Sequence, residues 1–216
     1  MKKYVNLKYV LDRLFAFTML LITSPIMAIA ILFILREDSK ASPIYKTERV
    51  GKDNKVFYVY KLRSMIATKE INGMKLSDAE RMLTVGKFLR KTSIDELPQL
   101  INILKGEMSF IGPRPLPKVY LPYYNVEELR RHKLKPGISG WAQVRGRNNL
   151  NWEDKFKLDL EYVNKVSLMF DLKIFYLTLI KVFKHSDVVT RGDGQEVDFH
   201  TYRTEQNEEL VITGKD

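Results

Sequence analysis

The chain has 216 residues, 45% hydrophobic and 29% charged, so it is long enough for one well-buried domain with a small attachment. Its formal net charge of +10 indicates an anionic partner such as nucleic acid, acidic lipid or a phosphorylated substrate. With no cysteine and three histidines, the sequence excludes disulfides, thiolate zinc sites and a cysteine nucleophile, and any metal is expected to be a hard, oxygen-bound ion such as Mg²⁺.

An apolar segment near the N-terminus runs from Leu14 to Leu35, 22 residues without a charged side chain. As a helix it would be about 33 Å long, the thickness of a bilayer core. Ser24 and Pro25 lie at its midpoint, where proline interrupts the helix, and basic residues flank both ends, which favours the cytoplasmic face for both. These features predict a re-entrant helix that breaks at Ser24-Pro25 and returns. A spanning helix and a cleaved signal sequence stay open as alternatives.

Two segments rich in Val, Tyr and Phe follow at residues 43–50 and 55–63, and the short turn between them predicts a hairpin. Lys61 and Arg63 are two residues apart in the second segment, so they share one face of the strand. The Ser-Asp-Ala-Glu sequence at residues 77–80 is a capping box, and it predicts a helix over 77–89.

A second capping box begins at Ser93, with Glu96 three residues later, and it predicts the start of another helix. Asp95 would then lie at the second helical position. There the helix dipole, together with nearby Arg90, would keep its carboxylate ionised. An ordinary capped core helix is the alternative interpretation of this stretch.

Residues 112–115, Gly-Pro-Arg-Pro, predict a stiff loop that holds Arg114 between two prolines. Such an arginine suits bidentate recognition of phosphate, and the alternative is a structural turn in which it bonds backbone carbonyls. The mixture of basic and aromatic residues over 116–133 suits a membrane interface or a solvated helix face. A second loop with glycine and proline covers 135–141, and Arg147 follows shortly after it.

The C-terminal third of the sequence predicts two helices, a charged one over 152–166 and a very apolar one over 168–184. Asp171 and Lys173 interrupt the second, which favours a core or interfacial position over a membrane-spanning one. The polar tail that follows is expected to be loose or lightly docked.

Taken together, these stretches resemble the bacterial sugar transferases, also called monotopic phosphoglycosyl transferases. The resemblance covers about residues 8 to 190, and it is specific because several motifs occur in the family's order. The matching stretches are Ser24-Pro25, YKLRSM (60–65), SIDELPQL (93–100), GPRP (112–115), KPGISGWAQV (135–144) and GRN (146–148).

The resemblance implies an α+β, mostly helical protein: a re-entrant anchor over 1–36, a catalytic domain with a short hairpin and interfacial helices over 37–190, and a polar tail over 191–216. It implies a monotopic enzyme on the cytoplasmic face of a bacterial inner membrane, in contact with anionic lipid. The implied reaction transfers a sugar 1-phosphate from a UDP-sugar to undecaprenyl phosphate and releases UMP.

The resemblance also implies roles for individual residues. Asp95 corresponds to the nucleophile that forms a covalent phospho-sugar intermediate, and Glu96 to a residue that binds metal or handles protons, with Mg²⁺ as cofactor. We expect Glu96 to contact the metal, together with Asp95. The candidate phosphate-binding cations are Lys61, Arg63, Arg90, Arg114 and Arg147.

Two alternatives belong to other functional classes. A membrane-bound phosphohydrolase would use the same carboxylates with water as the acceptor. A membrane-tethered basic protein would bind nucleic acid or acidic lipid, but the sequence has no recognisable nucleic-acid motif, so no nucleic-acid partner is expected. A homodimer is left open.

Overall fold

Helices dominate the architecture, as predicted, in a computed structural model that describes residues 2–68, 70–71, 73–146, 150–184 and 198–213. The α-helices are α1 (Lys2–Glu37), α2 (Asp78–Arg81), α3 (Thr84–Thr92), α4 (Gln99–Lys105), α5 (Trp141–Arg145), α6 (Trp152–Lys165), α7 (Leu168–Lys184) and α8 (Phe199–Thr213). Strands β1 (Ile44–Val50) and β2 (Val56–Leu62) pair antiparallel, as do β3 (Glu70–Ile71) and β4 (Met74–Lys75), whereas β5 (Ser109–Ile111) and β6 (Gly137–Ser139) pair parallel.

The predicted hairpin is confirmed, because β1 and β2 are antiparallel with Ile44 opposite Leu62. A 3₁₀ turn over Lys52–Asn54 connects the two strands. Within it, Asp53 adopts the left-handed conformation with φ 54°, which aspartate and asparagine tolerate better than most residues.

Helix α1 is one continuous helix of 36 residues, and Pro25 lies inside it. Proline has no N–H to donate to the carbonyl of Leu21, and the Ser24 hydroxyl donates to that carbonyl instead, over 2.9 Å. The helix therefore continues past Ser24-Pro25, and the re-entrant turn stays a prediction. By length and composition α1 is able to cross a bilayer.

One stripe of α1 packs against the rest of the protein along most of its length. Its buried residues recur every four to eight positions and are Lys8, Ala16, Thr23, Ala30 and Ile34. Ala16 packs with side chains of β2 and α4, while Ala30 and Ile34 pack with side chains of β2 and α3. The other faces of α1 expose large apolar side chains, among them Leu14, Phe17, Leu21, Ile22 and Ile29.

A buried polar network joins the N-terminal part of α1 to α7. The Lys8 amino group lies 2.8 Å from a carboxylate oxygen of Asp171 and 3.8 Å from one of Asp12. The hydroxyls of Tyr4 and Tyr162 donate to the two oxygens of Asp171, over 2.5 and 2.7 Å. One cation thus separates two buried carboxylates where the apolar helix meets the domain.

The helix predicted over 77–89 is present as two helices, α2 and α3. The capping box at its start is confirmed: the Glu80 N–H donates to Ser77 Oγ over 3.3 Å, and the Ser77 N–H donates to the Glu80 carboxylate over 2.7 Å. The first two N–H groups of α3 donate to the Glu37 carboxylate, over 2.7 and 2.8 Å. The last helical residue of α1 therefore caps α3.

The two C-terminal helices predicted over 152–166 and 168–184 are confirmed as α6 and α7. Phe170 and Ile174 are buried in the core beneath α7, whereas other large apolar side chains of this helix are exposed, among them Leu168, Met169, Leu172, Phe175 and Leu179. The described part of the predicted tail forms α8, whose Phe199 is fully buried among aromatic side chains of the domain.

Candidate active site

The candidate nucleophile Asp95 lies in the short connection between α3 and α4. Ser93 ends α3 in the left-handed conformation, with φ 57°, and a single 3₁₀ turn over Ile94–Glu96 follows. Pro98 then precedes the first turn of α4, a position where its fixed φ and missing N–H are tolerated. In this turn Asp95 is only 8% exposed, and Glu96 is half-buried.

The capping box predicted at Ser93 and Glu96 is wrong. Helix α3 continues to Thr92, so Ser93 closes that helix and its side chain makes no cap hydrogen bond. The Glu96 carboxylate instead forms an ion pair with the Lys61 amino group, at 2.5 Å. Asp95 therefore lies before α4, not at the second position of a helix that begins at Ser93.

Burial and nearby charges oppose each other at Asp95. Together these effects raise the pKa of the Asp95 carboxyl to about 6. Burial is the largest cause and nearby Glu96 adds to it, whereas Lys61, Arg90 and Arg114 lower the pKa. Arg90 lowers the pKa, as predicted, but burial outweighs the nearby cations, so the net shift is upward. A pKa of about 6 still leaves the carboxylate mostly ionised at neutral pH. None of the residues that the structure describes donates a hydrogen bond to this carboxylate.

The three cations come from three separate elements. Lys61 lies in β2, Arg90 in the last turn of α3 and Arg114 in the Gly-Pro-Arg-Pro loop. Arg90 Nε donates to Ser64 Oγ over 2.9 Å, which holds its guanidinium. Gly86 allows α3 to lie against the chain there, because a Cβ at this position would be 2.1 Å from the Ser64 carbonyl oxygen.

Ser64 is a supporting residue that we did not predict from the sequence. It lies in the YKLRSM stretch, immediately after Arg63, but no local pattern links it to Arg90, which is 26 positions away. Only the packing of α3 against the end of the hairpin brings these two side chains together.

The loop that carries Arg114 is held by close backbone contacts with the second glycine-containing loop. The Gly112 N–H donates to the Ser139 carbonyl over 2.9 Å, and the Gly137 N–H donates to the Pro113 carbonyl over 3.0 Å. A Cβ at Gly112 or Gly137 would lie within 2.4 Å of backbone atoms of the other loop. Two of the predicted motifs thus form one rigid unit, from which the exposed side chain of Arg114 projects.

Arg63, another of the predicted cations, has a carboxylate partner of its own. The guanidinium of Arg63 is buried, forms an ion pair with Asp38 and donates to the Ala41 carbonyl over 3.0 Å. Asp38 and two backbone carbonyls thus hold the two terminal nitrogens of Arg63, and its role in phosphate binding stays a prediction. Arg147, the last of the predicted cations, lies outside the described residues. Ser24, which we predicted to mark the break in the membrane helix, lies within α1.

Asp95 and Glu96 suit a magnesium ion only if a substrate supplies further oxygen ligands. No group of three or more potential ligand side chains occurs among the residues whose placement is described. Mg²⁺ is commonly held by one or two carboxylates together with substrate phosphates. Asp95 and Glu96 provide that number, and the Lys61 amino group is one partner of Glu96.

The sequence of the chain is similar to those of known sugar transferases. A galactosyl transferase of Streptococcus agalactiae, CpsE, is 40% identical over 168 residues, which cover 71% of this chain and 37% of that protein. The UDP-glucose:undecaprenyl-phosphate glucose-1-phosphate transferase of Escherichia coli is 38% identical over 187 residues, covering 82% of this chain and 40% of that protein. The chain thus spans about two-fifths of the length of these two relatives.

A third relative has nearly the same length as this chain. The uncharacterized sugar transferase EpsL of Bacillus subtilis is 44% identical over 176 residues, which cover 80% of this chain and 87% of that protein. The sequence model of the bacterial sugar transferases matches residues 3–185, which include every described side chain of the Asp95 cluster. The chain therefore belongs to the bacterial sugar transferase family.

Proposed function

We propose that this protein transfers a sugar 1-phosphate from a UDP-sugar to undecaprenyl phosphate, releases UMP, and thereby begins the assembly of a glycoconjugate on the membrane. The observation that carries the proposal is Asp95, a buried carboxylate without a hydrogen-bond donor among the described residues and with Lys61, Arg90 and Arg114 around it. The named substrates of the Escherichia coli relative support the choice of donor and acceptor.

In the first step, a carboxylate oxygen of Asp95 forms a bond to the phosphorus that bears the sugar. The bond from that phosphorus to the bridging oxygen breaks, and UMP leaves with the bridging oxygen and its electron pair. The three cations stabilise the charge that develops on the phosphoryl and leaving oxygens. Since no residue in the described part of the chain donates to Asp95, its lone pairs are available for this attack.

In the second step, a phosphate oxygen of undecaprenyl phosphate attacks the same phosphorus. The bond to Asp95 breaks, which restores the carboxylate and forms undecaprenyl diphosphate-linked sugar. When Mg²⁺ is bound, Asp95 and Glu96 would hold it, and it would neutralise negative charge on the diphosphate. Lys61 holds the Glu96 carboxylate near the turn, at 2.5 Å from its own amino group.

We also propose that the enzyme is monotopic, on the cytoplasmic face of the inner membrane. Residues of α1 from Lys8 to Ile34 pack against the domain, so the helix lies along the surface of the domain. A helix in this position cannot also extend away from the domain and cross the bilayer. Its exposed apolar faces and those of α7 would enter the lipid, and the basic flanks would meet anionic headgroups. A return of the chain at Ser24-Pro25 remains part of this proposal.

The catalytic proposal is tested with Asp95→Asn in the purified, detergent-solubilised protein. UMP release from a panel of UDP-sugars with undecaprenyl phosphate should fall by at least about 10³-fold, because the amide is not a nucleophile. Asp53→Asn, at an exposed turn residue, is the matched control and should keep wild-type activity. Mass spectrometry after incubation with the donor alone should locate a phospho-sugar adduct on Asp95. Full activity of Asp95→Asn would refute the proposal.

The acceptor distinguishes this transferase from a phosphohydrolase that uses the same residues. Without undecaprenyl phosphate, the transferase should release about one equivalent of UMP per enzyme and then stop. Continued turnover with water would identify a phosphohydrolase instead.

The membrane arrangement has its own test. The chain has no cysteine, so single cysteines at Lys2 and Lys40 can be labelled selectively in intact cells and in inverted vesicles. Both should react from the cytoplasmic side. Labelling of the two positions from opposite sides would exclude the re-entrant topology.

A further inference from the structure

We propose that Arg131, held by Asp159, is a positioning residue for Arg114. This inference rests on the proposed function, in which Arg114 stabilises charge on the transferred phosphate. It concerns a buried ion pair behind the Gly-Pro-Arg-Pro loop, which neither the sequence motifs nor the transfer mechanism uses. Arg131 lies in a 3₁₀ segment over Glu128–Lys133, and Asp159 lies in α6.

The hydrogen bonds of Arg131 connect α6 to the loop through one planar group. Its Nη2 donates to the Arg114 carbonyl and to Asp159 Oδ2, each over 2.7 Å, and its Nε donates to the same carboxylate oxygen over 3.0 Å. A guanidinium that is fixed at two atoms by a carboxylate has little freedom to rotate. The direction of the bond to the Arg114 carbonyl is therefore set by Asp159.

Burial places this pair out of reach of substrate. Arg131 is 2% exposed and Asp159 is 3% exposed, and the Arg131 guanidinium lies against the rings of Tyr124 and Phe156. A buried ion pair usually contributes little to net stability, because desolvation of the two charges opposes their attraction. The pair therefore needs a reason other than stability, and its contact with the loop provides one.

The sequence of the loop makes this one carbonyl important. Arg114 lies between Pro113 and Pro115, neither of which has an N–H with which to fix the backbone. Strand β6 binds the chain before Arg114, through the Pro113 carbonyl, and β1 binds it afterwards, through the Leu116 carbonyl. Between these points, the bond from Arg131 fixes the peptide that follows Arg114 and hence the backbone from which the Arg114 side chain projects.

The first test replaces the pair together, as Arg131→Met with Asp159→Leu, so that neither charge is left buried alone. We expect kcat/KM for the UDP-sugar to fall roughly 10- to 100-fold, as for a group displaced by about 1 Å. The same double replacement in an Arg114→Ala background should cause no further loss, since the positioned side chain is absent. Unchanged kcat/KM, or full additivity of the two losses, would overturn the inference.

The second test does not depend on turnover. Amide hydrogen exchange in a peptide covering residues 109–118 should become faster in the paired variant, while exchange in the hairpin of β1 and β2 stays as in the wild type. Unchanged exchange in the loop overturns the inference. If no UDP-sugar gives UMP with the wild-type protein, the proposed function fails, and this exchange comparison still decides whether Arg131 holds the loop.

Arg131→Lys provides a variant that keeps both charges and has a greater chance of folding. A lysine is able to pair with Asp159, but a single amino group cannot reproduce the fork that also reaches the loop. The expected result is faster exchange in residues 109–118 with a smaller loss of kcat/KM than in the paired variant. Wild-type values for both would contradict the positioning role.

Discussion

Substitution of Lys8 by Met tests how α1 is attached to the catalytic domain. The Lys8 amino group is the cation between Asp12 and Asp171, and the three side chains are 7%, 13% and 10% exposed. Met has a similar length and no charge, so the change removes the cation with little change in volume. Both carboxylates would then remain buried without their cation.

The size of the effect follows from this environment. Removal of one partner from a buried ion pair typically costs about 3–5 kcal/mol. Asp171 keeps hydrogen bonds from two tyrosine hydroxyls in the variant, which favours the lower end of that range. A loss of about 3 kcal/mol in a chain of this length corresponds to a decrease in Tm of roughly 10 °C.

The loss should also depend on pH. Burial already raises the pKa of Asp12, and Lys8 is the largest of the effects that lower it, so the variant should have a still higher folded-state pKa. A carboxylate whose pKa is raised by folding destabilises the protein as pH rises through the folded-state pKa, and this cost disappears at low pH. The difference in Tm between wild type and variant should therefore be largest at pH 7 and smaller at pH 5.

Thermal unfolding in detergent, followed by tryptophan fluorescence, measures the decrease in Tm and its dependence on pH. Lys3→Met is the matched control, because Lys3 is exposed in the same helix and its loss should change stability by less than about 0.5 kcal/mol. A Tm for Lys8→Met within 2–3 °C of the control, or a deficit that does not change between pH 7 and pH 5, would refute the ionic account of this contact.

Two further predictions concern stability. Gly86→Ala should cost about 2 kcal/mol of stability despite the better helix propensity of alanine, because its Cβ would lie 2.1 Å from a backbone carbonyl oxygen. Lys87→Ala, at an exposed position of the same helix, is the control and should be nearly neutral. Equal Tm values for the two variants would contradict the predicted clash at Gly86. Burial and the adjacent Arg131 lower the pKa of His132 to about 3, and its Nδ1 lies 2.6 Å from Asn54 Oδ1. The unfolded chain takes up a proton below about pH 6.5 and the folded chain does not, so this histidine should cost the wild type roughly 1.5 kcal/mol of stability between pH 6.5 and pH 5. His132→Gln should lose less over the same interval, as unfolding at the two pH values will show.

Local patterns in the sequence predicted those elements whose stability is local. The hairpin and helices α6 and α7 follow from runs of strand-forming residues and from apolar periodicity, and they are found where expected. The capping box at Ser77 is confirmed because a loop precedes it. At Ser93 the same pattern fails, since α3 arrives there already helical and forces the serine into the left-handed conformation of a helix end.

The electrostatic state of Asp95 could not be derived from its neighbours in the sequence. Its burial depends on how the turn between α3 and α4 packs against β2, and Lys61 and Arg114 come from distant parts of the chain. The motifs identified the residue as a candidate, but the sign of its pKa shift is decided by tertiary desolvation. A carboxylate in the same six-residue stretch on an open surface would titrate near its ordinary pKa.

The case of Arg63 shows why periodicity alone misleads at the end of a strand. Lys61 and Arg63 share a face only while the strand continues, and β2 ends at Leu62. Beyond that point Arg63 contacts Asp38, just after α1, while Glu37 caps the helix that carries Arg90. Glu37, the last residue of α1, and Asp38, which follows it, therefore hold two elements next to the Asp95 turn. The predicted boundary between anchor and domain, at residues 36 and 37, falls in the last turn of α1, between its apolar segment and these two carboxylates.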